Sequence, residues 1–195
     1  MQRKKLCLAS GNKHKIKEIA QMLPEYEVVG YKDLGDDFEI EENGKTFYEN
    51  ALIKAKTVAE KYNIPCLADD SGICVDVLNG EPGIYSARYA GDGNDEHNNQ
   101  LLLKNLEDKT DRRAKFVCCM VFYFPNGKIV TATGETVGEI LHAPEGENGF
   151  GYDPIFFSYD LNKCLGIATD EEKNSISHRY RAIVGIKEKL KEENL

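Results

Sequence analysis

The fold of this chain is decided by Leu6–Lys15, which reads LCLASGNKHK. Its apolar start predicts a short buried strand over 5–10, and the polar turn that follows opens a helix. The helix is predicted over 13–23 because Pro24 stops it, and another apolar run predicts a strand over 26–31. A strand, a helix and a strand in this order are typical of an α/β protein.

Apolar periodicity and turn residues predict the elements that follow. These are a helix from about Thr46 to Tyr62, a strand from Pro65 that carries Asp69 and Asp70 and continues over 73–78, a helix over 95–106, a hairpin of strands 114–124 and 129–140, and a helix from about Ser177. Thr46 and Glu49 are expected to make a capping box. We therefore expect the α/β class, with a mixed central β-sheet flanked by helices. Residues 1–195 are expected to form one two-lobed domain, with the active-site cleft between the lobes.

Composition and charge exclude several classes of protein. The chain has 195 residues and a formal net charge of -8, which opposes a sequence-independent grip on nucleic acid. No apolar run approaches the length of a membrane span, and none follows the basic N-terminus, so we expect neither membrane insertion nor secretion. The cysteines form no CxxC pair and no zinc-type spacing, which indicates buried, reduced thiols in a cytoplasmic protein.

Asp69-Asp70-Ser71-Gly72 directly follows the apolar run Pro65–Ala68. Adjacent carboxylates where a buried strand ends are costly unless a cation or a proton neutralises them. A common solution is a hard divalent metal, often Mg²⁺ shared with a substrate phosphate. The lysine-bearing helix start at Ser10–Lys15 lacks the P-loop pattern but suits an anion. Metal and anion together suggest chemistry on a nucleotide or another polyphosphate, although that helix start, taken alone, would be a capped helix with solvated lysines.

Six motifs occur in order along the chain. They are Ser10-Gly11-Asn12-Lys13, Thr46-Phe47-Tyr48-Glu49-Asn50-Ala51, Ala68-Asp69-Asp70-Ser71-Gly72, Pro82-Gly83-Ile84-Tyr85-Ser86-Ala87-Arg88-Tyr89, Gly149-Phe150-Gly151-Tyr152-Asp153-Pro154 and Ser177-His178-Arg179. Together they resemble the inosine/xanthosine triphosphate pyrophosphatase family over nearly the whole chain. The resemblance implies hydrolysis of nonstandard purine nucleoside triphosphates (ITP, dITP and XTP) to monophosphate and pyrophosphate, which cleanses the nucleotide pool. It also implies Mg²⁺ as cofactor and a homodimer.

The resemblance assigns roles to the groups around metal and phosphate. It implies Glu42 and Asp70 as ligands of Mg²⁺, with Asp70 also the general base for the attacking water. Substrate contacts are implied at Ser10, Gly11, Asn12, Lys13, His14, Lys15 and Ser71. Successive strand residues point to opposite sides, so Asp69 is expected to be a supporting or structural acid. Glu41 stays open as an alternative to Glu42, and Glu49 is a reserve ligand.

The C-terminal half is expected to bind the purine base. The resemblance implies substrate contacts at Phe150, Gly151, Tyr152, Asp153, Lys173, His178 and Arg179. The Phe150 ring suits stacking on a purine, and Asp153 suits a hydrogen bond from a protonated ring nitrogen. Donors from His178 or Arg179 would match O6 of a 6-oxo purine but would face the amino group of adenine. Taken alone, Ser177-His178-Arg179 would be a helix N-cap followed by two exposed basic residues.

Two other functions fit the same residues. One is a non-catalytic nucleotide-binding module, which would bind ITP without releasing pyrophosphate. The other is a Maf-like pyrophosphatase, which cuts the same bond in pyrimidine or modified nucleotides. The complete set of acids favours catalysis over simple binding. The element that excludes GTP and the preference among ITP, dITP and XTP stay open at this point.

Overall fold

A computed structural model describes residues 4–35 and 38–192, so positions 1–3, 36–37 and 193–195 of the predicted domain lie outside the described residues. The chain divides into two compact units. The first unit comprises Met1–Asp70, Cys118–Gly134 and Arg179–Leu195, and the second comprises Ser71–Val117 and Glu135–His178. Among the described residues, no helix is both long and apolar enough to cross a membrane.

The described residues form seven β-strands and five α-helices. The strands are β1 (Lys4–Leu8), β2 (Tyr26–Gly30), β3 (Cys66–Val75), β4 (Arg113–Tyr123), β5 (Ile129–Ile140), β6 (Phe156–Ser158) and β7 (Lys163–Cys164). The helices are α1 (Lys13–Met22), α2 (Phe47–Tyr62), α3 (Asp95–Asn105), α4 (Asp170–Ile176) and α5 (His178–Glu192). The sequence predicts each of these helices except α4.

All seven strands belong to one sheet, in the order β2-β1-β3-β4-β5-β6-β7. β1 pairs in parallel with both β2 and β3, which places Cys7 opposite Val29 and Cys66. β6 pairs antiparallel with β5 and with β7. Parallel and antiparallel pairs in one sheet confirm the predicted α/β class with a mixed sheet.

β3 corrects one prediction made from the sequence. The sequence places the two carboxylates where a buried strand leaves the core, but the strand Cys66–Val75 carries them in its middle and continues only part of the way through the second apolar run, 73–78. The last three residues of the second run form a 3₁₀ turn instead of a strand. Asp69 and Asp70 are therefore mid-strand residues, only 1% and 8% exposed, and do not lie where a strand leaves the core. Cationic side chains nearby make this burial possible.

The core of the first unit brings helices onto the strands. Ile19 of α1 and Ile183 of α5 are buried in one cluster with Met120 of β4. The alanine-rich face of α2 forms another cluster with Ala68 of β3 and Val121 of β4. Because the side chains on this face are small, α2 lies close to the sheet, and longer polar side chains of the same helix reach β3.

The core of the second unit fixes the loop that precedes β6. Ile73 of β3, Leu102 of α3 and Phe156 of β6 are fully buried together. Tyr152 and Ile155, which flank the end of the loop, belong to the same cluster. Apolar packing therefore anchors the end of this loop, which contains the motif Gly149–Pro154.

A substitution at Gly138 tests how closely β5 and β6 approach each other in the second unit. Gly138 lies opposite Ser158, and a Cβ atom there would lie 2.0 Å from the Phe157 carbonyl oxygen. Because the Gly138→Ala variant must push β5 and β6 apart, we expect its free energy of unfolding, measured by denaturant titration, to fall by about 1–3 kcal/mol. The neighbouring Val137→Ala, at a side chain that is 48% exposed, should change it by about 0.5 kcal/mol or less. Equal effects in the two variants would contradict the close approach.

Candidate active site

In the first unit, the Asp69 carboxylate is the centre of a buried ion-pair cluster. Its Oδ2 lies 3.1 Å from Lys15 Nζ and 3.5 Å from Arg179 Nη2, and Arg179 also pairs through Nη1 with Glu18. We call these four residues the Asp69 cluster. Burial by itself would raise the pKa of Asp69, but the charges of Lys15 and Arg179 outweigh it and hold that pKa well below its ordinary value. Asp69 is therefore ionised, and its cations tie α1 and α5 to β3.

Asp70 has different partners, as the alternation of side chains along a strand requires. Asn50 Nδ2 donates to Asp70 Oδ2 at 3.1 Å, and Lys54 Nζ lies 3.6 Å from Asp70 Oδ1. Burial raises the pKa of Asp70, and the Lys54 charge only partly offsets it. A carboxylate of raised pKa is the better proton acceptor, so Asp70 suits the role of a base. The next residue, Ser71, is half-buried at the start of the second unit.

Glu42 is linked to Asp70 through a shared lysine. Glu42 Oε2 lies 2.8 Å from Lys54 Nζ, so both carboxylates contact one ammonium group. Glu41, the alternative ligand, is exposed to solvent. The contact with Lys54 therefore favours Glu42 as the acid that acts together with Asp70.

The predicted capping box at the start of α2 forms only in part. Thr46 Oγ1 accepts a hydrogen bond from Glu49 N at 3.1 Å, as expected. Glu49 Oε2, however, accepts from Lys45 N at 2.6 Å, one residue before the position that a capping box uses. Because the Glu49 carboxylate is used at the helix N-terminus, it is a poor reserve ligand.

Lys54 is a site residue that the sequence analysis does not identify. It is 8% exposed in the middle of α2. Burial would lower its pKa, but the surrounding carboxylates, Asp70 foremost, outweigh this and raise it. Its position between Ala51 and Ala55 could have indicated this role. A lysine on the buried face of a helix needs anionic partners.

The charge balance around Asp70 fits a divalent cation. The charges of the Asp69 cluster cancel, whereas Glu42, Asp70 and Lys54 together carry one net negative charge. Within residues 4–35 and 38–192, no three or more His, Cys, Asp or Glu side chains are grouped so that they could hold a metal. One or two carboxylates with substrate phosphate oxygens are, however, the usual way in which proteins bind Mg²⁺. The two acids therefore fit a metal that is shared with the substrate.

The helix start at 10–15 is capped by its own side chains. Asn12 Oδ1 accepts from His14 N at 3.0 Å and from Lys15 N at 3.2 Å, while Ser10 Oγ accepts from Asn12 N at 3.1 Å. Four residues of this turn are exposed: Gly11, Asn12, Lys13 and His14. The interpretation as a capped helix is therefore correct for the backbone, but Lys15 is paired with a buried carboxylate rather than solvated. The positive end of α1 remains suited to an anion.

The last predicted motif is buried. His178 and Arg179 are 6% and 2% exposed, so the interpretation of Ser177-His178-Arg179 as a cap followed by two exposed basic residues is wrong. The Arg179 guanidinium belongs to the Asp69 cluster in the first unit. The His178 ring stacks on Phe116 in the second unit, with 5.0 Å between ring centroids and 15° between planes.

In the second unit, Phe150, Asp153 and Lys173 form a compact group. Asp153 Oδ2 lies 2.6 Å from Lys173 Nζ and also accepts from Phe150 N at 2.9 Å. Lys173 Nζ lies 4.6 Å from the centroid of the Phe150 ring, a cation–π contact. Both charged side chains are buried. Asp153 thus holds the backbone at Phe150 and the lysine that covers one face of the Phe150 ring.

Hydrogen bonds to two other segments of the second unit hold Gly151 and Tyr152. Tyr152 Oη donates to the Ser86 carbonyl at 2.6 Å. Asp95 Oδ2 accepts from Gly151 N at 2.9 Å, and Asn99 Nδ2 donates to Gly151 O at 3.1 Å. Asp95 and Asn99 lie one turn apart on α3. None of the six sequence motifs includes this helix. No local pattern could reveal these two residues, because their partner is a backbone group more than fifty residues away.

Comparison with known sequences shows which family this chain belongs to. A model of the Ham1 family matches residues 6–189. The chain is 48% identical over 189 residues to a Staphylococcus epidermidis protein named dITP/XTP pyrophosphatase, covering 96% of this chain and 97% of that protein. A Treponema denticola protein of the same name is 46% identical over 192 residues, covering 96% of this chain and 98% of its own length.

Solved structures give the same result. The Ham1 protein of Staphylococcus aureus is similar with a TM-score of 0.88 and 45% identity, over 97% of this chain and 100% of that chain. A Ham1 protein from Coxiella burnetii is similar with a TM-score of 0.88 and 38% identity, over 97% and 99%. These similarities confirm the resemblance that the six motifs indicate. The chain belongs to the Ham1 family.

Proposed function

We propose that this chain hydrolyses nonstandard purine nucleoside triphosphates, namely ITP, dITP and XTP, to monophosphate and pyrophosphate, and so cleanses the nucleotide pool. The observation that carries the proposal is the buried carboxylate of Asp70, which shares Lys54 with Glu42, in a chain 48% identical to a dITP/XTP pyrophosphatase. We further propose that it acts in the cytoplasm as a homodimer on a small nucleotide, without nucleic acid or membrane partners.

Glu42 and Asp70 would hold Mg²⁺ as cofactor. When bound, the ion would offset the charge of the carboxylates and phosphates and polarise the phosphoryl group under attack. Without metal and substrate, Lys54 neutralises part of the negative charge of Glu42 and Asp70. Its ammonium group would also suit a phosphate oxygen of the substrate. The net negative charge of these three residues supports this assignment.

Asp70 would act as general base in the hydrolytic step. It would accept a proton from the water that attacks the α-phosphorus, while the bond to the bridging oxygen breaks and its electron pair leaves with pyrophosphate. The exposed Lys13 and the positive end of α1 would stabilise the charge on the leaving group. The buried setting of Asp70 supports this role, because desolvation makes the carboxylate more basic.

Phe150 would stack on the purine base. Since Lys173 covers one face of the ring, the base would lie on the opposite face. Gly151, Tyr152 and Asp153 would shape this pocket, and the buried His178 of the same unit would donate to O6 of a 6-oxo purine. In adenine an amino group replaces O6, so donor would face donor and the base would be rejected.

A substrate panel tests the proposal. With ITP, XTP, GTP, UTP and TTP and Mg²⁺, we expect pyrophosphate release to be at least about tenfold faster for ITP and XTP than for the others. Chelation by EDTA should abolish the release, and added Mg²⁺ should restore it. Release mainly from UTP or TTP would indicate the Maf-like alternative, and binding of ITP without release would indicate a non-catalytic module.

The two aspartates provide a matched pair of variants. Asp70→Asn should lower pyrophosphate release by about 10²-fold or more, because the general base is lost, and should leave the melting curve close to that of the parent. The same change one residue earlier, Asp69→Asn, should lower the free energy of unfolding by about 3–5 kcal/mol, since it leaves Lys15 and Arg179 without their buried carboxylate. Near-normal turnover in Asp70→Asn would remove this residue from the mechanism.

Phe150→Ala tests the base pocket. Stacking of an aromatic ring on a base contributes about 1–3 kcal/mol, so KM for ITP should rise about 5- to 150-fold with a smaller change in kcat. Phe150→Tyr keeps the ring and is the control, with KM close to that of the parent. An unchanged KM in the alanine variant would exclude stacking on this residue.

A further inference from the structure

Asn50 joins the two segments that carry the proposed metal ligands. It is 1% exposed on α2, in the first unit. Its Nδ2 donates to Asp70 Oδ2 at 3.1 Å, and its Oδ1 accepts from Gly44 N at 2.9 Å. A single side-chain amide thus connects β3 with the segment that contains Glu42.

Gly44 makes this connection close. A Cβ atom at Gly44 would lie 2.7 Å from Asn50 Oδ1 and 2.9 Å from Asn50 N. The backbone of this segment can therefore approach α2 only because residue 44 has no side chain. Because Glu42 lies two residues earlier, the same contact restricts where the Glu42 carboxylate can lie.

Lys54 makes a second connection between the same acids, but its charge limits what it can do. Its ammonium group contacts Glu42 Oε2 and Asp70 Oδ1, so a cation bound by these carboxylates would compete with it. Asn50 is neutral. It donates to Asp70 Oδ2, whereas Lys54 contacts Oδ1, and it accepts from the backbone N–H of Gly44. Its contacts are compatible with a cation at Asp70 Oδ1.

We propose that Asn50 is a positioning residue, which holds Glu42 and Asp70 in the relative orientation that a divalent cation requires. This inference rests on the proposed function, because it takes these two acids as the metal ligands. Groups that orient metal ligands typically contribute 10- to 100-fold to metal affinity. Asn50 therefore acts on the metal through its hydrogen bonds to Asp70 and Gly44 and not by coordination.

Direct binding of Mn²⁺ tests this inference. We expect Asn50→Ala, without nucleotide, to bind Mn²⁺ about 10- to 100-fold more weakly than the parent, as measured by the electron paramagnetic resonance of the free ion. The Mg²⁺ concentration that half-activates dITP hydrolysis should rise by a similar factor. A dissociation constant for Mn²⁺ within about twofold of the parent value would overturn the inference.

Asn98→Ala is the matched control. Asn98 is also 1% exposed, and its amide likewise uses both atoms, since Oδ1 accepts from Ala90 N at 2.7 Å and Nδ2 donates to Ala87 O at 3.3 Å. Asn98→Ala should lower the free energy of unfolding by about as much as Asn50→Ala does, but it should leave the affinity for Mn²⁺ unchanged. Equal weakening of Mn²⁺ binding in both variants would overturn the inference, since it would reflect a general loss of structure.

Gly44→Ala provides a second variant, which retains the buried amide and displaces its acceptor contact. It should weaken Mn²⁺ binding in the same direction. If neither Asn50→Ala nor Gly44→Ala folds, the inference is also overturned, because Asn50 is then required for folding rather than for metal geometry. Failure of the proposed function is distinguishable, since the parent would then release no pyrophosphate from dITP with Mg²⁺, whereas failure of the ligand assignment would leave Mn²⁺ binding intact in Asp70→Asn.

Discussion

Two adjacent carboxylates in the middle of a buried strand must each have a positive partner. Asp69 is paired with Lys15 of α1 and Arg179 of α5, and Asp70 is paired with Lys54 of α2. Three helices are thereby joined to β3 by charge as well as by apolar packing. β3 can carry two carboxylates through the core only where these helices supply their cations. The first unit therefore cannot fold in this way unless the same helices neutralise the acids.

The degree of neutralisation distinguishes Asp69 from Asp70. Asp69 meets two cations, which hold its pKa below the ordinary value, and its cluster is neutral. Asp70 shares one lysine with Glu42, and burial raises its pKa. A carboxylate whose charge is fully compensated attracts a further cation only weakly. Two carboxylates that share one lysine keep a net negative charge and therefore still attract a cation. In the second unit, Asp153 resembles Asp69, because one of its oxygens contacts both the backbone N–H of Phe150 and a buried lysine.

Much of the fold and part of the site could be predicted from local patterns in the sequence. Apolar periodicity predicted α1 and α2, and the alternation of a strand predicted that Asp69 and Asp70 have different partners. The burial of Asp69 and Asp70 in the middle of β3 could not be predicted, because a strand with two charged residues is buried only if distant cations reach it. The burial of Arg179 has the same origin, since its partner Glu18 lies 161 residues earlier in the chain. Lys54 had a local signal, but its partners depend on how α2 packs on the sheet.

Anomalous diffraction from crystals grown with Mn²⁺ and a non-hydrolysable dITP analogue would test the central claim most directly, because it locates the ion independently of activity. The charge balance of the first unit predicts a peak within about 2.5 Å of carboxylate oxygens of both Glu42 and Asp70, with none beside Asp69. A principal peak at Glu41, Glu49 or Asp69, or an ion held by phosphate alone, would contradict it.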